Sequence, residues 1–302
     1  MRNNLKYAPI ALFGFVRLNT LQAVVKGLLS NLESKDTDLH IFIDGPRNSN
    51  DISQIDNVKR FCNSIQGFKT VNIYISDINK GLDPSIISGV SKILDEYGRA
   101  IILEDDVVPT SNFICYMNQA LNTYADRNDI MSISAYGLKV DKPQNYIADV
   151  YMFGRSTSWG WAIWKDRWDS IDWDIVDWED FKCDKTRIKE FNNRGGSDMF
   201  SMLNTCMKGG GMWDIRFCYN MYRQNKYSII PFEAKTSNIG FTEEAIHCKP
   251  IRYNRFKTIQ DLGIKKEFVM PHDIQVNDSI IKKRLSYQSI YKRIISKIIN
   301  SI

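Results

Sequence analysis

The sequence predicts an α/β fold in which a mainly parallel central sheet is flanked by helices. Across the first hundred residues, short apolar runs alternate with segments whose apolar residues recur at helical spacing. This alternation is typical of βαβ units, which build parallel sheets. With 302 residues, 43% of them hydrophobic and 25% charged, the chain can bury a substantial core. Disordered, collagen-like and small disulfide-rich proteins are therefore excluded.

The apolar runs predict buried strands at Pro9–Val16, Leu39–Ile43, Val71–Ile75 and Ala100–Leu103. Helical spacing between them predicts helices at Thr20–Leu32, Asp51–Ile65 and Pro84–Tyr97. Asn19, with Gln22 three positions later, indicates the start of the first helix, and Pro84 suits the first turn of the third.

The pattern is looser beyond residue 110. It predicts a helix at Phe113–Tyr124, a strand at Ile130–Ala135, a tryptophan-rich loop region, and helices around Ser197–Met207 and Ile215–Asn225. The triplet Gly209-Gly210-Gly211 predicts a turn, because the apolar pattern resumes on both sides of it.

Charge and targeting signals indicate a cytoplasmic protein. The net charge of +5 is too small to indicate nucleic-acid binding. The longest apolar run has the length of a strand, and the N-terminus lacks the features of a secretory signal. The six cysteines form no C-x-x-C pair and the chain has three histidines, so we expect reduced thiols rather than a zinc site.

An acidic triplet, Glu104-Asp105-Asp106, follows the fourth predicted strand. Adjacent carboxylates raise one another's pKa unless a cation or hydrogen-bond donors compensate them. Oxygen ligands favour Mg²⁺ or Mn²⁺, which proteins hold through one or two carboxylates together with substrate phosphates. The alternative is an acidic turn that caps the following helix.

The triplet at a strand end, with Phe113, Tyr116 and Met117 following it, resembles the nucleotide-sugar glycosyltransferases of the GT-A fold. The E-D-D form is similar to that of N-acetylglucosaminyltransferase I and of a group of bacterial polysaccharide transferases. The resemblance implies that Asp106 binds the Mn²⁺ or Mg²⁺ ion. It also implies that Glu104 contacts the transferred sugar and Asp105 the ribose.

The resemblance extends to other strand ends. Phe15-Val16-Arg17 resembles the family's nucleotide-binding corner, which implies contacts from Phe15 and Arg17 to the base or phosphates. Asp44, in Ile43-Asp44-Gly45, resembles the position that recognises uracil. Lys80, in Asn79-Lys80-Gly81-Leu82, resembles a loop near the nucleotide-sugar. Each of the last two segments can instead be an ordinary turn.

Tryptophans are concentrated between Trp159 and Trp178, interleaved with aspartates. Indole faces suit the apolar faces of sugars and carboxylates accept hydroxyl hydrogen bonds, so this region can form a saccharide surface. Ser158-Trp159-Gly160-Trp161-Ala162 resembles the family's G-W segment, and Trp159 and Trp161 are our acceptor-binding candidates. The alternative is that most of these rings lie in the core.

Asp214 is the candidate catalytic base. Its Trp213-Asp214 step resembles the family's base position, at a junction of loop and helix that can direct a carboxylate into a cleft. The alternative is an N-cap for its own helix. Asp198 is the second candidate base.

Farther along the chain, Ser237–Phe241 and His247 resemble the family's phosphate-covering loop. This resemblance implies that His247 contacts the diphosphate or metal.

The C-terminal segment is basic and amphipathic. No acid follows Asp278, and at about 100° per residue one half of a helical wheel is apolar, opposite Lys292, Arg293 and Lys297. That apolar half comprises Tyr287, Ile290, Tyr291, Ile294, Ile295, Ile298, Ile299 and Ile302. Such a helix can lie on an anionic membrane, or it can pack on the catalytic domain.

The expected organisation is a nucleotide-sugar-binding half at 1–108, an acceptor-binding and catalytic half of the same GT-A domain at 109–272, and the tail at 273–302. The expected function is metal-dependent, inverting transfer of a hexosyl or N-acetylhexosaminyl group from a UDP-sugar to a glycan hydroxyl. The setting implied is bacterial surface polysaccharide synthesis on a lipid-linked acceptor at the inner face of the cell membrane. A sugar nucleotidyltransferase and a noncatalytic carbohydrate-binding protein are the alternatives.

Overall fold

The computed structural model describes residues 7–240 and 258–301. Its strands are β1 (Ile10–Gly14), β2 (Asp38–Ile43), β3 (Thr70–Ile75), β4 (Arg99–Glu104), β5 (Val107–Pro109), β6 (Ile130–Ser134), β7 (Val150–Phe153), β8 (Trp161–Trp164), β9 (Tyr227–Pro231), β10 (Glu233–Ala234), β11 (Thr236–Asn238) and β12 (Ile259–Gln260). Its α-helices are α1 (Leu18–Leu29), α2 (Ser49–Ser64), α3 (Leu82–Tyr97), α4 (Phe113–Thr123), α5 (Lys165–Asp169), α6 (Trp178–Phe181), α7 (Lys185–Gly195), α8 (Met199–Thr205), α9 (Trp213–Arg223), α10 (Asp278–Ser286) and α11 (Ile290–Ser301).

The central sheet has the strand order β3-β2-β1-β4-β8-β6-β9-β7. Strands β3, β2, β1 and β4 are parallel, as are β6 and β9, whereas β8 runs antiparallel to both of its neighbours and β7 runs antiparallel to β9. Helices cover the sheet on both faces. The predicted α/β fold with a mainly parallel central sheet is therefore confirmed, and it is consistent with the GT-A fold.

The predicted elements of the first hundred residues are all present, with ends that differ by at most three residues from the prediction. Strands β1, β2 and β4 are buried, which explains their continuous apolar runs. Helix α3 contains Pro84 in its first turn and ends at Tyr97. Gly98 follows it in the C-cap position with a φ of 78°, a left-handed conformation that suits glycine. The predicted start at Asn19 is wrong, because α1 begins at Leu18 with Arg17 in the N-cap position and Asn19 lies within the helix.

The tryptophan-rich region differs from the prediction of a loop. It contains strand β8, Trp161–Trp164, whose four residues are all buried. Strand β7 comes shortly before the first tryptophan of the region, and its four residues are also buried. A strand buried on both faces shows no alternation of polar and apolar residues, so its sequence does not distinguish it from a buried loop.

Two short strands form a separate two-stranded sheet next to the acidic triplet. Strand β5, directly after the triplet, pairs antiparallel with β11, so that Asn238 lies opposite Val107. The backbone N–H of Ile239 donates to the carbonyl of Asp106 at 2.9 Å. Gly240 lies so close to the Asp106 carboxylate that a Cβ atom at this position would collide with it. The segment 236–240 therefore covers one side of the triplet.

The C-terminal segment forms two helices rather than one. Ile280 of α10 is fully buried against an apolar cluster that includes Tyr151, Phe153 and Phe232. The chain then turns at residues 287–289 before α11 begins. Within the described ranges, 7–240 and 258–301, no helix is both long and apolar enough to cross a bilayer.

Candidate active site

A cleft of about 920 Å³ opens at the carboxyl ends of β1, β2, β3 and β4. Open parallel sheets bind ligands at this end, and the volume lies within the range typical of ligand pockets. Nine of the eleven predicted site residues line the cleft: Phe15, Arg17, Asp44, Lys80, Glu104, Asp105, Asp106, Trp159 and Asp214. The structure thus brings together residues separated by up to two hundred positions in the chain.

Arg17 bridges two carboxylates of the triplet. Its guanidinium forms ion pairs with Asp105 and, at 3.0 Å, with Asp106. Asp105 also accepts a hydrogen bond from the backbone N–H of Phe15 at 3.3 Å. The arrangement follows from the topology, because β1 and β4 are adjacent and parallel, so the residues that follow them meet at one edge of the sheet.

Burial and mutual repulsion shift the titration of these groups. Burial, together with the charges of Asp106, Asp105 and Asp214, raises the pKa of Glu104 to about 8. Burial raises the pKa of Asp105 to about 6, although the positive charge of Arg17 opposes that shift. Burial lowers the pKa of Arg17, but the two aspartates outweigh this effect and the net shift is upward. The cluster therefore carries less negative charge at neutral pH than three ordinary carboxylates.

The donor set fits a divalent cation that is held partly by the substrate. Within the described part of the chain, no group of three or more His, Cys, Asp or Glu side chains can hold a metal by itself. Mg²⁺ and similar cations, however, commonly use one or two carboxylates and complete their shell with phosphates and waters. Asp106, in the lining of the cleft, supplies one such carboxylate.

Asp44 organises the loop that follows β3. Its Oδ1 accepts from the backbone N–H groups of Gly45 and Lys80, and its Oδ2 accepts from the backbone N–H of Gly81 and from the side chain of Asn79, all within 3.0 Å. A carboxylate offers about four acceptor positions, and these four bonds occupy them. In this arrangement Asp44 holds the Lys80 loop at the cleft, and its predicted contact with uracil stays a prediction.

Phe15 lies beneath a cation at the mouth of the cleft. The guanidinium of Arg47 stacks over its ring at 4.7 Å, and Asp51 holds that guanidinium through two bonds of 3.0 Å. Arg47 and Asp51 both line the cleft and were not predicted as site residues. Their i,i+4 spacing was visible in the sequence, but it is common on helix surfaces and does not by itself indicate a site.

Asp214 lies in the first turn of α9, where the macrodipole favours a carboxylate. It lines the same cleft as the triplet, and its charge contributes to the raised pKa of Glu104. Met212, not Asp214, occupies the N-cap position of the helix. The preceding Trp213 is buried and stacks on Trp161, with ring centroids 5.1 Å apart. This packing fixes the start of α9 and with it the position of Asp214.

The two tryptophans predicted to bind the acceptor have different environments. Trp159 lines the cleft and packs against Tyr136 with ring centroids 4.5 Å apart. Trp161 is 1% exposed and stacks between Trp168 and Trp213. The expectation that Trp161 contacts an acceptor is therefore wrong, because its ring is covered on both faces by other core side chains.

Asp198, the second candidate base, lies outside the lining of the cleft. It is 5% exposed and forms an ion pair with Arg155 at 2.9 Å. The pairing of this buried carboxylate with a guanidinium whose side chain is 16% exposed indicates a structural role for Asp198. His247 falls outside the residues that the structure describes, so its predicted contact stays a prediction.

An ion pair between α3 and α9 was also missed from the sequence. Asp83 lines the cleft and forms an ion pair with Arg216 at 2.9 Å, which fastens the start of α3 to the helix that carries Asp214. No local signal connects two residues so far apart in the chain.

No protein-family model and no curated protein sequence matches this chain. Among solved structures, it is similar to Staphylococcus aureus TarS 1–349, with 7% identity, a TM-score of 0.43, and coverage of 77% of this chain and 61% of that one. The match to mouse xyloside xylosyltransferase 1 has 11% identity and a TM-score of 0.39, over 74% and 84% of the two chains. The match to the mannosyltransferase PcManGT from Pyrobaculum calidifontis, in complex with GDP-Man and Mn²⁺, has 7% identity and a TM-score of 0.32, over 55% and 49%.

Proposed function

We propose that this chain is an inverting glycosyltransferase that moves a sugar from a nucleotide-sugar to a hydroxyl group of a glycan. The observation that supports the proposal is the composition of one cleft at the carboxyl ends of parallel strands. There the Arg17-bridged acids lie on the sheet side and Asp214 lies on a separate helix. Displacement of a diphosphate by a hydroxyl requires positive charge and metal-binding acids at the diphosphate, and a carboxylate at the hydroxyl that accepts its proton. The cleft contains both sets of groups, on different elements of the fold.

The sheet side of the cleft would bind the donor. Arg17 and Lys80 supply positive charge for a diphosphate, and Phe15 with Arg47 supplies an aromatic and cationic platform for a base. Asp44 acts as a positioning residue through its bonds to the Lys80 loop. The assignment of UDP as the nucleotide rests on the family resemblance of the sequence.

Asp106 would hold Mn²⁺ or Mg²⁺ through its carboxylate. When bound, such an ion neutralises the charge of the diphosphate and helps it to leave. In the structure the Arg17 guanidinium forms ion pairs with both Asp105 and Asp106. We therefore expect it to shift toward the phosphates when donor and metal bind together.

Asp214 would act as the base. The acceptor hydroxyl gives its proton to the Asp214 carboxylate while its oxygen attacks the anomeric carbon of the donor sugar. The bond from that carbon to the diphosphate oxygen breaks, and the bonding electrons leave with the nucleoside diphosphate. Because the attack is a single in-line displacement, the anomeric centre is inverted. Trp159, on the other side of the cleft, offers an aromatic surface to the acceptor.

The test combines ligand binding with one substitution. We expect UDP and UDP-sugars with Mn²⁺ to raise the melting temperature of the wild-type protein. In Asp214→Asn, the nucleotide affinity should stay within a few-fold, whereas transfer to a panel of oligosaccharide acceptors should fall by about 10²–10⁴-fold. Anomeric inversion in the product is an independent readout.

Other outcomes identify the alternatives. Near-normal turnover in Asp214→Asn, with a larger loss in Asp198→Asn, would move the base to Asp198. Pyrophosphate release from a nucleoside triphosphate and a sugar phosphate would indicate a nucleotidyltransferase. Binding of glycans with no response to nucleotides would indicate a carbohydrate-binding protein.

A further inference from the structure

We propose that helix α11 docks on the surface of an anionic lipid bilayer. The proposal begins with an apolar row along this helix, at the spacing that places side chains on one face. The row consists of Tyr291, Ile294, Ile295, Ile298 and Ile299, which are 81%, 51%, 47%, 55% and 39% exposed. Single exposed apolar residues are common on protein surfaces, but five on one helical face form a continuous apolar patch. Such a patch is typical of a surface that binds a partner or a membrane.

The chain before α11 is fixed to the domain. Ile280 and Arg284 of α10 are buried, and the Arg284 guanidinium lies 4.8 Å from the centre of the Phe153 ring. Gln288 is also buried, and its carbonyl accepts a hydrogen bond of 3.0 Å from the Ser197 hydroxyl. The exposed row is therefore not an extension of the packed segment. It begins where the packing contacts end.

The charge around the row identifies its partner. The chain has no acidic residue after Asp278, while Lys292, Arg293 and Lys297 belong to the helix itself. Lys282 and Lys283 of α10 are exposed, so they add to the same positive region. An apolar helical face in a helix whose charged residues are all basic matches the apolar boundary and the negative surface of an anionic bilayer.

Two other occupants fit less well. A second copy of the chain would bring basic residues against basic residues with no acid to pair them, which disfavours self-association through this helix. The twelve described residues of α11 span about 18 Å, which is less than the roughly 30 Å core of a bilayer, so this stretch suits an interfacial position better than a spanning one. The helix would therefore lie in the plane of the interface.

The attachment point bears on the substrate, and this step rests on the proposed function. Ser197, which bonds Gln288, precedes α8, and Met202 of α8 lines the cleft. The point where α11 joins the domain therefore lies next to the start of α8, one of the elements that line the cleft. This position suits an acceptor whose glycan is carried on a lipid.

The test measures binding of the full chain to vesicles without any sugar, so its result does not depend on catalysis. We expect sedimentation with vesicles of equal parts phosphatidylglycerol and phosphatidylcholine, and at least about tenfold weaker binding to pure phosphatidylcholine. Deletion of residues 290–302 should remove the binding and leave the melting temperature and UDP affinity unchanged, since the deletion begins after the packed segment.

Matched variants separate the apolar and charge contributions. Ile294→Ser/Ile298→Ser should weaken vesicle binding about tenfold, whereas Ile147→Ser/Leu262→Ser, at residues 75% and 85% exposed elsewhere, should not. Lys292→Glu/Lys297→Glu should abolish the preference for anionic vesicles, whereas Lys185→Glu/Lys189→Glu on α7 should preserve it.

Three results would overturn the proposal. The first is equal sedimentation of the wild-type and truncated proteins with anionic vesicles. The second is a loss of oligomers on truncation, measured as the number of chains per particle, in a protein that does not bind vesicles. This result would make α11 a contact between copies. The third is a lower melting temperature on truncation without vesicle binding, which would mean that α11 packs on its own domain.

Discussion

Removal of the Arg17 guanidinium should make the free protein depend on a divalent cation for part of its stability. In the wild-type protein this guanidinium neutralises Asp105 and Asp106, whose side chains are 5% and 11% exposed. Arg17→Ala leaves two buried carboxylates beside Glu104 without a cation. Mn²⁺ can then take the place of the guanidinium, because carboxylate oxygens are suitable ligands for it.

The size of the effect follows from burial. Removing one partner of a buried ion pair costs about 3–5 kcal/mol, and the lower value applies here because the Arg17 side chain is itself 23% exposed. A loss of about 3 kcal/mol corresponds to a fall of roughly 5 °C in melting temperature for a chain of this size. Mn²⁺ at 100 times its dissociation constant restores about 2.7 kcal/mol, or roughly 4 °C.

The measurement is thermal unfolding of the wild-type and variant proteins in EDTA and in a Mn²⁺ titration, without nucleotide. The wild-type melting temperature should change by less than about 2 °C with Mn²⁺, because Arg17 competes for the same carboxylates. Arg47→Ala is the matched control. It removes another arginine from the cleft, but one that pairs with Asp51 and not with the triplet.

Two results would refute this reasoning. If Arg17→Ala melts at the wild-type temperature in EDTA, the guanidinium does not stabilise the triplet. If Mn²⁺ raises the melting temperatures of wild-type, Arg17→Ala and Arg47→Ala equally, the ion binds elsewhere and Asp106 is not its ligand.

Three further substitutions test the remaining assignments. Asp106→Ala should abolish transfer and remove the Mn²⁺-dependent part of nucleotide affinity measured by calorimetry; full activity would move the metal elsewhere. Asp44→Asn should weaken UDP and GDP binding by similar factors of about tenfold, because it loosens the Lys80 loop; a loss confined to UDP would instead indicate a direct role in recognising uracil. Trp161→Ala should lower the free energy of unfolding by about 4 kcal/mol in denaturant titrations, as expected for a buried tryptophan. Trp178→Ala, at a partly exposed residue, should lower the free energy of unfolding by less, and equal decreases for the two variants would contradict the difference in burial.

The parallel half of the fold was predictable from the sequence because its signals are local. Each of β1, β2, β3 and β4 is an apolar run of strand length, and each intervening helix has apolar residues at helical spacing. The location of the site followed from the same information, since the residues after parallel strands meet at one edge of the sheet. The acidic triplet stood out at such a strand end, whereas the roles of Arg17 and Asp44 came from the resemblance of their segments to GT-A glycosyltransferases.

The antiparallel insertion was not predictable. Strand β8 lies between β4 and β6, and its pairing with β4 joins residues about sixty positions apart. A four-residue strand buried on both faces has no periodicity of its own, so only its partners define it. The helix predicted by the apolar wheel from Tyr287 onward begins at Ile290 instead, because the chain turns at residues 287–289, where Gln288 is fixed to the domain.

The sequence by itself identified many of the chemical groups that line the cleft, while the tertiary structure added others and decided how each group is engaged. The amide groups around Asp44 occupy its carboxylate, Arg17 bridges two acids of the triplet, and neighbouring rings cover Trp161. Each of these outcomes depends on hydrogen bonds or packing between segments far apart in the chain. Residue type and spacing encode the conformation of a segment over a few residues, but the partners of a buried polar or aromatic side chain exist only once the segments have packed together.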